Sequence, residues 1–218
     1  MFKKAFTLAE VLLVITIIGI VSALTIPNLA NKSSDEQTIV KLKNAKNDLD
    51  LALQQAILKY GPYTSWYSGD FTDDDMTEAK ERIMESLDVV SNRATFPFAS
   101  YNSDANYTKY QLKDGTFIAL KFGANGICGG HSCNFLQAIV ATGGSNGKTL
   151  GKDIFGFSID PYDGAIIPYG QGNDYKSNNA FSVTNNINAT NWALHNENLD
   201  YLKSCKTSLN WNTKTSCD

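Results

Sequence analysis

Between Lys4 and Lys32 the chain carries a single charge, the carboxylate of Glu10, near the start of an otherwise apolar run. A carboxylate in hydrocarbon costs roughly 2.5–3.5 kcal/mol near a membrane centre and less at the interface, so it calls for a partner. Cys128, His131 and Cys133 have the ligand types of a zinc site, but they lack a clear fourth ligand and the usual zinc spacing. Cys205 and Cys217 complete a set of four cysteines, for which three disulfide connectivities exist. Local pairing, Cys128 with Cys133 and Cys205 with Cys217, is the simplest. His131 and His195 are the only histidines, and neither stands in a nucleophile or acid–base constellation. Gly143-Gly144-Ser145-Asn146-Gly147-Lys148-Thr149 has the flavour of a phosphate loop. Thr142 occupies the required first glycine position, and no helix is predicted to follow. The chain therefore carries no enzyme signature.

The elements that must position these residues begin with the run itself. Residues 11–31 are uncharged, about the length a helix needs to cross a bilayer core. Lys3 and Lys4 belong on the cytoplasmic side. Leu12, Leu13, Val14, Ile15, Ile17, Ile18 and Ile20 make the helix apolar all round, and Gly19, Ser22 and Ala23 permit close helix approach. Beyond it, Ile39, Leu42, Ala45, Leu49, Leu53, Ala56 and Tyr60 recur at spacings of three and four, with Lys41, Lys43, Lys46, Asp48 and Asp50 covering the other side. Gly61-Pro62 is the stop. One helix is predicted from Phe6 to Tyr60, bent or loosened at Pro27.

After it, Asp73 to Asp75 can cap a helix bearing Met76, Ala79, Ile83 and Leu87 on one side. Residues 110–112 and 116–120 form a hairpin about Asp114-Gly115, and residues 154–159 and 165–168 form a second. The predicted class is α+β: an antiparallel meander packed on the amphipathic part of a long first helix. Gly- and Asn-rich loops at 143–151 and 170–179 are predicted at the surface.

The beginning of the chain, Met1-Phe2-Lys3-Lys4-Ala5 followed by Phe6-Thr7-Leu8-Ala9-Glu10, resembles the processing site of type IV pilins and type II secretion pseudopilins. The resemblance implies cleavage between Ala5 and Phe6, N-methylation of Phe6, and an assembly role for Glu10 as fifth residue of the mature chain. Family leaders usually end in Gly, where this chain has Ala5. Pro27 stands where the family's first helix often bends. In a filament the new Phe6 ammonium would lie beside Glu10 of a neighbouring subunit, and the pair would reward the correct stagger. A pilin-like fold is implied, with a transmembrane first half of the helix and an amphipathic second half on the sheet. The organisation is then a leader at 1–5, a transmembrane and filament-core segment at 6–31, and an exported globular domain at 32–218. Cys205–Cys217 would resemble the family's C-terminal disulfide loop. Major pseudopilins often carry a calcium-binding loop after the sheet, for which Asp153, Asp160 and Asp163 offer oxygens. Turn and capping roles are the ordinary use of those aspartates.

Composition agrees with an exported domain: 19 basic against 22 acidic residues give a net charge of −3, which argues against a general nucleic-acid surface. An ordinary secretory signal cut after Ala23 is disfavoured by Glu10 and by the continuation of the run. The expected function is a non-enzymatic structural subunit of a type IV pilus or type II secretion pseudopilus. Its expected partners are a prepilin peptidase, other pilin subunits in a homo- or hetero-polymer, and an inner-membrane assembly platform. It needs no cofactor other than calcium, should the aspartates bind it. The alternative is a membrane-tethered binding module such as a minor pilin, an adhesin or a DNA-uptake tip protein, displaying Trp66, Tyr67 and Trp211 as exposed aromatics.

Overall fold

The computed structural model describes residues 7–66, 73–91, 95–98, 107–128, 131–143, 149–159, 164–170, 189–211 and 213–217, and of residues 24–32, 73–76, 122–128 and 131–135 the backbone alone. The chain divides into two compact units, Met1–Gln37 and Thr38–Asp218. Helix α1 (Leu8–Tyr60) contributes residues to both, and its helical assignment is continuous through Pro27.

In the first unit, residues 8–21 of α1 form a helix whose large apolar side chains are all exposed. Among the described residues no helix is long and apolar enough to cross a membrane. The second part of the apolar run, residues 24–31, has no described side chains.

The second unit is α+β. After α1 come a short 3-10 turn (Tyr63–Ser65), α2 (Asp73–Met84), and six strands: β1 (Val89–Ser91), β2 (Thr108–Leu112), β3 (Phe117–Cys128), β4 (His131–Ala141), β5 (Ile154–Ile159) and β6 (Ile166–Pro168). Then follow α3 (Thr190–Asn196) and two 3-10 turns, Asp200–Leu202 and Ser204–Ser208. The strands pair in sequence order, each antiparallel to the next.

Both predicted hairpins are present. In the β2–β3 hairpin Asp114 accepts hydrogen bonds from the Thr116 amide and hydroxyl, each at 2.8 Å, while Gly115 takes φ +85°. That left-handed position is the one a three-residue hairpin loop assigns to glycine. β5 and β6 pair Ile159 with Ile166 and Phe157 with Pro168.

Alternation along the strands divides the core between the two faces of the sheet. Ile118, Leu120, Leu136, Ala138, Val140, Phe155, Phe157 and Ile159 share one cluster with Ile39, Leu42, Ala45, Leu49, Leu53 and Ala56 of α1. Phe117, Ala119, Ile139, Ala141 and Ile154 share the other with Phe96 and Tyr107. Full burial of Leu42, Leu49 and Leu53 stabilises by about 1.5–3 kcal/mol each relative to exposure. The predicted stripe thus holds except at its end. Tyr60 is 37% exposed, and its hydroxyl donates to Glu85 beyond the end of α2. α1 stops there because Gly61 takes φ +89° and its amide closes the last turn on the Ile57 carbonyl at 2.9 Å.

Ala79 and Ile83 anchor α2 as expected. Leu87 lies past the helix, partly buried against the same core, and the Met76 side chain is outside the described residues.

Candidate functional site

Thr7 precedes the first residue of α1, and Glu10 lies in its first turn. The Thr7 amide and hydroxyl both donate to Glu10 Oε2 at 2.8 Å, and the Glu10 amide donates to Thr7 Oγ1 at 3.2 Å. This reciprocal arrangement is a capping box, in which side chains satisfy two amides that the helix leaves without partners. The signal was readable as Thr-x-x-Glu, and sequence reasoning centred on the charge of Glu10 missed it. The carboxylate therefore has donors within its own chain. Around it Leu8, Val11, Leu12, Leu13, Val14, Ile15, Ile17, Ile18, Ile20 and Val21 are all between 49% and 80% exposed. Thr16 returns its hydroxyl to the Leu12 carbonyl at 2.7 Å, so its polar group is spent inside the helix. Residues 8–21 thus present hydrocarbon on every side, with one carboxylate at one end. Ala5 and Phe6, the predicted cleavage site, lie outside the described residues. Pro27 lies within α1, where its missing amide removes one bond of the helical ladder.

Of the predicted cysteine pairs, Cys205–Cys217 is a disulfide, with a Cα–Cα distance of 5.9 Å. The segment it closes is also held by non-covalent contacts. Asn198 Oδ1 accepts from Trp192 Nε1 at 3.1 Å, and Asn198 Nδ2 donates to the Thr215 carbonyl at 2.9 Å. The buried Asp200 accepts the Cys217 amide at 2.7 Å and pairs with Lys203. Trp211 lies on Trp192 with ring centroids 4.8 Å apart. Cys128 is the register partner of His131, and Cys133 that of Gly126, on the β3–β4 hairpin. Their side chains lie outside the described residues.

Asp153 serves a turn: its carboxylate accepts the Thr149 amide at 3.3 Å, and its carbonyl accepts the Thr142 amide at 2.8 Å. Asp160 and Asp163 are outside the described residues. Among the described residues no group of three or more His, Cys, Asp or Glu side chains is placed to hold a metal ion. His195 is exposed in the last turn of α3, its ring 5.9 Å from that of Trp211. Most of the glycine-rich segment at 143–149 is likewise not described.

Open clefts among the described residues of the second unit include two lined by charged side chains. One, of ≈ 260 Å³, is bordered by Asp48, Asp88, Asp114 and Lys113. The other, of ≈ 330 Å³, is bordered by Tyr60, Glu78, Glu81, Arg82 and Glu85. In the first, burial and then the charges of Asp114 and Asp88 push the Asp48 carboxyl above the usual range. In the second, hydrogen bonds from Lys59 and Tyr60 hold the Glu85 carboxyl below it. Three of these carboxylates are engaged in ion pairs, Asp88 with Lys113 at 2.9 Å, Glu85 with Lys59 at 2.6 Å and Glu78 with Arg82.

The expectation of exposed aromatics is corrected. Trp66 is 3% exposed, its indole donating to the Gly61 carbonyl at 3.0 Å, with Tyr63 and Arg82 against its faces. Trp211 is only partly exposed and packs on the core, and Tyr67 is outside the described residues. An aromatic flanked by a turn carbonyl and a guanidinium has no need of solvent or a partner to satisfy its polar edge.

No family model, no curated protein and no solved structure matches this chain.

Proposed function

We propose that this protein is a structural subunit of a type IV pilus or a type II secretion pseudopilus. A prepilin peptidase removes residues 1–5 and Phe6 becomes the methylated amino terminus. The subunit waits in the bacterial inner membrane with its domain exported, and an assembly platform adds it to a filament through the first part of α1. The observation that carries this reading is the character of residues 8–21: a helix apolar and exposed on every side, interrupted only by Glu10. Such a surface is covered by lipid or by other helices. The Phe6-Thr7-Leu8-Ala9-Glu10 motif supports the same reading from the sequence. A pilin-like fold, with the second part of α1 as the spine of the sheet, belongs to this proposal. Of the aromatics expected to serve a tethered binding module, Trp66 is in the core, Trp211 is partly exposed and packs against it, and Tyr67 lies outside the described residues.

The test is Glu10→Gln, which retains the shape and one hydrogen-bond acceptor for Thr7 but cannot attract the Phe6 ammonium. Leader removal should persist, with both proteins beginning at N-methyl Phe6 by intact mass. The mutant should remain in the membrane, and its share of sheared filaments should fall at least tenfold at equal expression. Filament incorporation equal to wild type, or a mature start at Leu24, would refute the proposal.

A further inference from the structure

The line of α1 that points farthest from the core carries no charge. Ile39, Leu42, Ala45, Leu49, Ala52, Leu53 and Ala56 are buried, and the positions opposite them on a helix of 3.6 residues per turn are Val40, Asn44, Asn47, Leu51, Gln54 and Leu58. All six are exposed: Val40 56%, Leu51 54% and Leu58 87%, with the three amides between them. An amphipathic helix normally puts its charges on this line. Here they sit to either side, Lys41 and Asp48 on one flank, Lys43 and Asp50 on the other. The sequence expectation that these lysines and aspartates cover the outer side is corrected accordingly.

The spacing of the uncharged line, alternately four and three, is that of the a and d positions of a heptad. Asn44, Leu51 and Leu58 fall at a, Val40, Asn47 and Gln54 at d. Lys41 and Asp48 then occupy e, and Lys43 and Asp50 occupy g. In a parallel pair of helices a g residue meets the e residue five places on in the other helix. For this chain that sets Lys43 against Asp48 of the second copy, opposite charges, twice by symmetry.

We infer that this seam is a parallel, in-register contact between two copies of the chain in the resting subunit, before assembly. Leu51 and Leu58 pack on their own counterparts, and Asn44 meets Asn44, the kind of polar a position that fixes register. An antiparallel pairing centred between Asn44 and Asn47 would also match charges, but it leaves Leu58 without a counterpart. Asp48 gains most from the parallel arrangement, because Asp88 and Asp114 crowd it in the single copy. Among the described residues Lys43 pairs with Glu197 at 2.6 Å, an exposed pair weak enough to exchange.

Three aliphatic side chains per copy fall far short of the roughly 800 Å² per partner of a stable interface. The contact therefore forms only between copies already concentrated, as two subunits in one membrane are, and so it rests on the proposed membrane-held state. A two-fold contact of this kind closes at two and cannot propagate, which makes it a storage form distinct from a filament.

The test uses the full-length protein in its native membranes. Leu58→Cys, on an exposed position, should give disulfide dimers on mild oxidation, above the background of the wild-type chain. Adding Asp48→Lys should lower the crosslinked fraction about tenfold, since two ion pairs become two like-charge contacts. The further exchange Lys43→Asp should restore it. The inference is overturned if Leu58→Cys gives no dimer, if Asp48→Lys leaves the crosslink unchanged, or if the exchange fails to restore it. It is overturned equally if Val40→Cys and Leu51→Cys copies crosslink with each other in preference. Intact mass and membrane partition are measured on the same sample. A membrane-held subunit starting at Phe6 but without the Leu58 crosslink defeats the dimer alone. A soluble, unprocessed subunit defeats the proposed function and the dimer with it.

Discussion

Removing the Cys205–Cys217 bridge, as Cys205→Ser with Cys217→Ser, should destabilise the native state by a predictable amount. The bridge spans a sequence separation of 12. In the chain-entropy relation a loop of that size is worth about 3 kcal/mol at 25 °C. The native segment keeps its other ties: Leu209 is buried, Asn198 holds Thr215, Asp200 holds the Cys217 amide, and Trp211 rests on Trp192. The loss should therefore come from the unfolded chain, which gains freedom, rather than from collapse of the folded segment. For a domain of this size that corresponds to a fall in Tm of roughly 6–12 °C. Urea unfolding of the full chain in mild detergent, followed by tryptophan emission, measures it. The tryptophan pair reports whether the native segment is intact before unfolding begins. The m-value should rise slightly, because the unbridged unfolded chain exposes more surface. A loss under about 1 kcal/mol with an unchanged m-value would refute the chain-entropy account. An altered native emission spectrum would refute the claim that the non-covalent ties suffice to place the segment.

Two further outcomes follow from burial and charge. Asp48 is raised above its ordinary value by burial, Asp114 and Asp88, so its native-state contribution is most favourable below pH 3.8 and is lost as pH rises through the raised value. Asp48→Asn should therefore raise the urea midpoint of the detergent-dispersed protein at pH 7 and leave it unchanged near pH 3, and equal midpoints at both would refute the assignment. Leu49→Ala, at a position with no exposure, should cost about 3 kcal/mol in the same assay, whereas Leu58→Ala should change stability by less than about 0.5 kcal/mol. Comparable losses for the two would mean that the inner and outer lines of α1 are misassigned.

The parts of the fold legible in the sequence are those where one period dominates. Spacings of three and four from Ile39 to Ala56 named the buried line of α1, and Gly61-Pro62 named its end. Asp114-Gly115 named a hairpin because a left-handed residue is needed there and glycine supplies it. β4 was missed although it lies at the centre of the sheet. Residues 136–141 are buried save for Gln137, and a strand covered on both faces shows a continuous apolar run in place of alternation. α3 was missed because seven residues are two turns, too short for a period to declare itself. It holds its place by tertiary bonds, among them the Gly156 amide donating to Thr190 Oγ1 at 2.9 Å. Trp66 was misjudged for a related reason. Its neighbours in space, Tyr63 and Arg82, come from a turn and from α2, and nothing local announces that they converge.

The candidate site was legible as a charge in hydrocarbon, and less so as geometry. Reading Glu10 only through its charge gives it one task, attraction of an ammonium. The capping box gives it a second, because Thr7 already supplies two donors to the carboxylate within the chain. A carboxylate with donors of its own can wait in an apolar setting at lower cost than a bare one. The same logic applies to the outer line of α1. A single exposed leucine carries no information, since folded surfaces are rich in apolar atoms. Six successive outward positions without a charge are another matter, in a chain of which 19% is charged and with lysine and aspartate on both flanks. Solubility alone would be served as well by charges on that line as beside it. Moving them to the flanks while leaving Val40, Leu51 and Leu58 on the ridge makes physical sense only if the ridge is covered part of the time by a surface of the same character.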